Sequence, residues 1–434
     1  MKSLARFLMV ALVLIFTVTA LGVEITFWHT EVESERQQKI GVLVAKFEAM
    51  NPDISVKVIP VEENALYNQL LTAKASKKLP TVVGLPAEAA LLLGNEGLLD
   101  VKLNTEIVNS LGDVYKGVKK ILATSAGNQF YAVPFHAWVQ GIWYRKDWFK
   151  KAGLPAPTSW YNIIRAAEYF NKPEKGVYGI VLAKAKDVYA EQVFTPFALS
   201  NGARIFTPEG KIDFDTPEMV WTLKFYKKLG KYAAPGHTTW RDGRQLYLTG
   251  KTAMMFYSTY VMDDIAISEV QRKIIKSYNP ELVKDTGFAP LMVNIRPSIY
   301  GQVVGLGILD TATSSQKSAA AKFVKFLMTG DNYIYWCHMA PGGMNPTRRS
   351  IAEDPKFLDN KVLSAYGDTY KVIASGLENL EKFGYVEGKV FTEAGKITGQ
   401  KIIGEAIVHM FDDGWTPEYT AEWAQKQMVQ AISY

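Results

Sequence analysis

His29, His136, His237, His338 and His409 are the side chains best suited to proton transfer or metal binding, yet none stands at ligand spacing from another. The single cysteine, Cys337, excludes a thiolate zinc site and any intrachain disulfide. Phosphate-cradling glycine loops, a nucleophile elbow and an HExxH zinc helix are all absent. Acidic neighbours such as Glu31/Glu33 and Asp263/Asp264 read as solvated surface, since a glycosidase needs two carboxylates facing one another roughly 5–10 Å apart. No catalytic residue is assigned. What the chain does hold is 12% aromatic residues, many beside polar groups that both donate and accept. Flat rings suit the apolar C–H faces of a sugar, and Gln, Asn, His, Glu and Asp suit its hydroxyl rim. Ligands of open α/β sheets sit off the carboxyl ends of strands. That rule selects Trp28, His29 and Glu31, then Glu88, then His136, Trp138 and Gln140. Further along it selects Trp240 and Asp242, Tyr257, Ser258 and Tyr260, Tyr300 and Gln302, and Asn345. Arg241, Arg244 and Arg296 are the groups that would hold a phosphate or carboxylate by bidentate contacts. Only Arg241 lies in the selected loops, which favours a neutral carbohydrate. No cofactor and no metal is called for.

Those loops need elements to hold them. Glu24–Trp28 reads as a strand, Ser34–Met50 as an amphipathic helix with Ile40, Leu43, Val44 and Phe47 on one face, and Ile54–Val61 as a second strand. Leu66–Lys77 is a helix, and Pro80–Leu85 is an apolar strand suited to burial on both faces. This alternation predicts an α/β lobe with a largely parallel sheet. Ala132–Phe135 is extended and Gly141–Tyr144 forms a strand. A helix starts at Asp147, and another, capped by Thr158-Ser159, follows from Trp160 to about Asn171. Gly176–Ala183, Ala253–Phe256 and Gly301–Leu309 are further strands; Pro217–Leu229, Gly243–Thr249 and Ser315–Met328 are helices. The region after residue 344 reads as helical with glycine breaks. Trp143, Tyr144, Trp148, Trp160 and Trp336 sit inside these patterns and read as packing.

Length and charge narrow the class. A chain of 434 residues makes two or three domains or one two-lobed body. The net charge of +6 is spread out, with no Lys/Arg block of the kind nucleic acid requires. Lys2 and Arg6 precede the apolar run Phe7–Ala20 and the small-x-small site Ala20-Leu21-Gly22, so residues 1–22 read as a secretory signal. The run is short of the roughly 20 residues a spanning helix needs. Cleavage is expected after Ala20 or Gly22, and without a cysteine there the product is not a lipoprotein.

Several segments, taken together, resemble the extracellular solute-binding proteins of ABC importers, in the sugar-binding family that includes maltose-binding protein. Tyr131-Ala132-Val133-Pro134-Phe135 and then Trp143–Leu154 are similar to the family's "YGVP…YNKDLFKKAGL", with Arg145 in place of Asn. Ile25–His29 is similar to its first strand, Phe47 with Asn51-Pro52-Asp53-Ile54 to its "F…NP.I.V", and Pro157–Trp160 to its "P.TW". Gly250–Met254 is similar to "GKAAM" and Gly287–Leu291 to "GVAPLP". Gly342–Thr347 is similar to "GYLPV" but carries Asn-Pro where Pro-Val is usual. The order holds from about residue 24 to 350. The resemblance implies an α/β, two-lobed periplasmic-binding-protein fold with three interlobe crossovers, near Ala132–Phe135, Tyr300–Val303 and Gly343–Asn345, around a central ligand cleft. Lobe one would hold 23–133 and 302–343, and lobe two 134–301 and 344–434. It implies a monomeric, non-enzymatic, periplasmic or extracytoplasmic protein that delivers a mono- or oligosaccharide to the transmembrane subunits of an ABC permease. Two alternatives stand beside it: the same fold holding glycerol-3-phosphate or a sugar acid, and a secreted glycoside hydrolase.

Overall fold

The computed structural model describes residues 22–387 and 389–433. The expected signal, apart from Gly22, lies outside the described residues. Strands β1 (Val23–His29), β2 (Ile54–Pro60) and β3 (Val82–Pro86) run parallel in the order β2-β1-β3. Their crossovers are the helices Ser34–Met50 and Leu66–Ala75. The first buries Ile40, Leu43, Val44 and Phe47, the stripe its periodicity predicts. β4 (Val133–Arg145) is a single strand of 13 residues where the sequence suggested two pieces. β5 (Tyr178–Val181) and β6 (Thr252–Ser258) are parallel to one another, and β6 is antiparallel to β4. β7 (Thr286–Ala289) also joins β4, and β8 (Leu291–Val293) joins the start of β9 (Pro297–Ile308).

β4 and β9 are the long members, and they tie the molecule together. β9 pairs with β3 through Val304–Ile308 and with β4 through Tyr300–Leu306, while β4 continues through Gln140–Tyr144 against β6. The sheet order is therefore β2-β1-β3-β9-β4-β6-β5. The first lobe's own strands are parallel, as their alternation with helices predicts, while the full sheet is mixed, because the strands that pass between the halves run against their neighbours. A third connection crosses at β10 (Asn345–Pro346), which pairs with His136–Ala137 of β4. β11 (Leu380–Glu381) adds to the end of β9 at Ile299–Tyr300.

Packing inside both halves is dense and apolar. Trp143, Trp160 and Trp336 are buried, as the sequence patterns require. Among the described residues no helix is long and apolar enough to cross a membrane.

Candidate functional site

Three parallel strands of one half end at the same edge, and each delivers residues there. β1 is followed by Thr30 and Glu31, β2 by Glu63, and β3 ends in Pro86. From the other half come Tyr257 and Ser258 at the end of β6, then Tyr260 and the Asp263-Asp264 pair. The helix Trp240–Leu248 adds Trp240 and Arg244, and the helix Val188–Ser200 adds Tyr189 and Gln192. β4 lies between. Its residues 136, 138 and 140 share one face, because side chains alternate along a strand, and His136, Trp138 and Gln140 all reach the same cavity. The cavity measures about 170 Å³.

The hydrogen bonds show which groups are free. Trp336 Nε1 donates to His136 Nδ1 at 3.2 Å, so the ring proton sits on Nε2, 3.3 Å from the Tyr260 hydroxyl oxygen. Burial, reinforced by Arg36, holds the His136 pKa down at about 3, and a neutral ring results. Trp138 stands edge-on to Tyr260, with ring centres 5.3 Å apart. Its Nε1–H has no partner, and neither amide atom of Gln140 has one. Gln140 is 1% exposed and Trp138 8%. Both line the cavity, so the cavity is where their hydrogen bonds can be made. Arg36 donates to Glu31 at 2.7 Å and Glu33 at 3.3 Å, and its guanidinium lies 5.4 Å from the Tyr260 ring centre. Arg244 donates to both oxygens of Asp264, at 3.2 and 3.1 Å.

Eight expected residues thus meet at one cavity: Glu31, His136, Trp138, Gln140, Trp240, Tyr257, Ser258 and Tyr260. Seven lie off its wall. Glu88 is not in a loop; the helix Ala87–Asn95 starts directly after β3, and Glu88 forms a buried ion pair with Lys382. Tyr300 and Gln302 lie within β9 and join the same knot. Lys382 donates to both, at 3.2 and 2.9 Å, and Gln302 donates to Glu88 at 2.6 Å. Asp242 accepts from Thr239 N–H (2.9 Å) and the Thr239 hydroxyl (2.6 Å), capping its helix. The Asn345 amide donates to the carbonyls of Ala137 (3.0 Å) and Gly342 (2.5 Å), fastening the third crossing to β4. Trp28 packs against the core beside β2 and β3. The His29 Nδ1 accepts from Glu31 N–H at 3.1 Å, and burial lowers its pKa to about 4.

The site also holds groups the sequence reading passed over. Glu63 follows β2, and the strand-end rule applied there would have found it. Arg36 lies in the first turn of the helix Ser34–Met50, five residues past Glu31. Tyr189 and Gln192 sit on a helix that is buried nearly all round and carries an internal Pro196, so it shows no amphipathic stripe. Among the described residues there is no cluster of side chains able to hold a metal ion.

A family model of bacterial extracellular solute-binding proteins matches residues 33–332. The chain belongs to this family. This solute-binding protein is 34% identical over 413 residues to the Escherichia coli (strain K12) protein YcjN, named as an ABC transporter periplasmic-binding protein; the match covers 95% of this chain and 93% of that one. It is 28% identical over 285 residues to a mannitol-binding protein of Pseudomonas aeruginosa, covering 64% of this chain and 63% of the other. Its fold matches maltose-bound T. maritima MalE3 with a TM-score of 0.77 at 22% identity, over 94% of this chain and 99% of that one. The two-lobed α/β architecture expected from the ordered segments is the one observed.

Proposed function

We propose that this solute-binding protein captures a single small sugar or polyol in the cavity between its lobes and delivers it to the transmembrane subunits of an ABC permease. The observation that carries the reading is the pair Trp138 and Gln140, whose buried polar atoms lack partners and line the cavity. Ligand hydroxyls would supply those partners. The cavity of about 170 Å³ suits a small ligand. A mannitol-binding relative agrees with this size.

Anionic ligands fit poorly. Five carboxylates line the cavity against two arginines, and both arginines are already paired with acids. Of the other basic candidates, Arg296 is held by Glu381 away from the cavity and Arg241 lies over the Trp240 ring. A hydrolase would need two free carboxylates facing one another across the cleft, and Glu88 and Asp242 are consumed by Lys382 and by the helix cap. The lobes are read as 23–133 with 302–343 and 134–301 with 344–434, in a monomer that is exported with loss of its signal.

The test is a thermal-shift and calorimetry screen of the mature chain from Val23 against monosaccharides, polyols, oligosaccharides, sugar acids and glycerol phosphates. The expected result is a saturable shift with a single-unit sugar or polyol and none with phosphates. A response confined to phosphates or uronates would overturn the ligand class, and turnover of a glycoside would overturn the binding-protein reading.

A further inference from the structure

Acids outnumber cations around the cavity. Glu31, Glu33, Glu63, Asp263 and Asp264 line it together with Arg36 and Arg244, and Arg241 acts on Glu63 from beside Trp240. Arg36 is shared between Glu31 and Glu33, and Arg244 is spent on Asp264. Two carboxylates, one from each half of the molecule, are left outside these ion pairs. Glu63 follows β2 and makes no ion pair. Asp263 accepts only the backbone N–H of Asp264, at 2.8 Å. Burial and the adjacent Asp264 hold the Asp263 carboxyl above its usual range in spite of Arg36. Aromatic faces do not answer this charge for a ligand, because Tyr260 already carries Arg36, and Trp240 carries Arg241 at 4.1 Å and Arg244 at 5.1 Å.

An acidic wall alone would not make a binding site. Here it surrounds a cavity into which Gln140, 1% exposed with both amide atoms unpartnered, is turned. Gln140 asks for hydroxyls, and the two free carboxylates ask for a positive charge. We infer that the ligand of this site is a small polyhydroxylated ammonium, an amino sugar or amino polyol, whose amine is held by Glu63 or Asp263 while its hydroxyls meet Gln140 and Trp138. This rests on the sugar or polyol reading above and narrows it by charge.

Matched probes separate the two ideas. At pH 7, 1-amino-1-deoxyglucitol is compared with glucitol, and glucosamine with glucose, N-acetylglucosamine and glucosaminate, by calorimetry on the mature protein. The amine of each pair should bind about tenfold tighter than its neutral partner, as a hydrogen bond to a charged group does over a neutral one. N-acetylation should remove the advantage. Asp263→Asn and Glu63→Gln should each lower the amine-to-neutral ratio. If the neutral compounds bind as well as the amines or better, the charge inference is overturned and the polyhydroxyl reading stands. If no compound of either kind binds, the polyhydroxyl reading falls with it. If the amines are preferred but neither variant changes the ratio, the assignment to these carboxylates is overturned.

Discussion

Glu191 shows how far a single side chain can be read from its surroundings. It is buried, Thr398 donates to its Oε1 at 2.7 Å, and its Oε2 has no partner. Burial, with Glu88 nearby, pushes its carboxyl up to about 7. A carboxyl whose pKa rises on folding binds more protons in the folded state between the unfolded and folded values. Stability therefore falls as pH climbs from about 4.5 to about 7, and the whole penalty is present above that. Glu191→Gln removes the charge and keeps an acceptor for Thr398. The variant should be more stable than the wild type by about 1–3 kcal/mol at pH 8 and nearly equal to it at pH 4.5. Urea unfolding at the two pH values measures this, and a gain that does not depend on pH would refute it. Trp138 offers the complementary experiment at the cavity. Trp138→Phe keeps most of the ring and deletes the unpartnered N–H, so the best-binding sugar or polyol from the screen should bind about five- to tenfold more weakly. The midpoint of unfolding without ligand should barely move, because the lost donor bonds to nothing in the protein.

At the scale of elements, β4 does the positioning, and its neighbours crowd it. A Cβ at Gly141 would lie 2.5 Å from the Ala289 carbonyl oxygen and 2.6 Å from Pro290 Cα. Both are backbone atoms, so either β4 or β7 must move. Gly141→Ala should cost about 1–3 kcal/mol and weaken ligand binding through the adjacent Gln140. Gly41 is the control: it lies on the exposed face of the helix Ser34–Met50 with nothing within 4 Å of its Cβ. Gly41→Ala should be neutral or stabilising by up to about 1 kcal/mol, with binding unchanged. Equal effects of the two changes, by denaturation and calorimetry, would show that crowding on β4 is not what matters.

Elements also mark how much could be read in the sequence. Ser34–Met50 was legible to the residue because Ile40, Leu43, Val44 and Phe47 announce a single buried stripe. β4 was legible as two extended pieces, but nothing in Val139-Gln140-Gly141 says that they are one strand serving both halves. The strand-end rule found Glu31, which follows β1, and Tyr257, which stands at the end of β6. It failed for Glu88, where a helix starts with no intervening loop, and for Gln302, which lies within a strand. Burial of polar groups such as Lys382 against Glu88 depends on a partner nearly 300 residues away, which no local pattern encodes.

At the scale of the whole molecule the question is what holds the two halves together over the cavity. Across its mouth the direct contacts are thin. Lys273 pairs with Glu35, but both side chains are more than 60% exposed. Such a pair contributes about 0–1 kcal/mol and is screened by salt. Arg36 over Tyr260 is the better covered of the two, with the Arg36 side chain 20% exposed, and contributes about 1–2 kcal/mol. Against these stands the cost of enclosing Gln140, Trp138 and the acidic wall without partners for their polar atoms. The buried Glu88–Lys382 pair also joins the two lobes, and a ligand that supplies the missing partners shifts the population by its differential affinity for the closed form. Saturation with the sugar or polyol identified in the screen should lower the radius of gyration measured by X-ray scattering. It should also stabilise the fold by about 2.7 kcal/mol at a ligand concentration 100 times the dissociation constant. Lys273→Ala should leave the ligand-bound radius unchanged, because the exposed pair contributes little. A radius that is the same with and without ligand, in a protein whose unfolding temperature still rises with ligand, would mean that the cavity binds as a preformed pocket and the halves do not move.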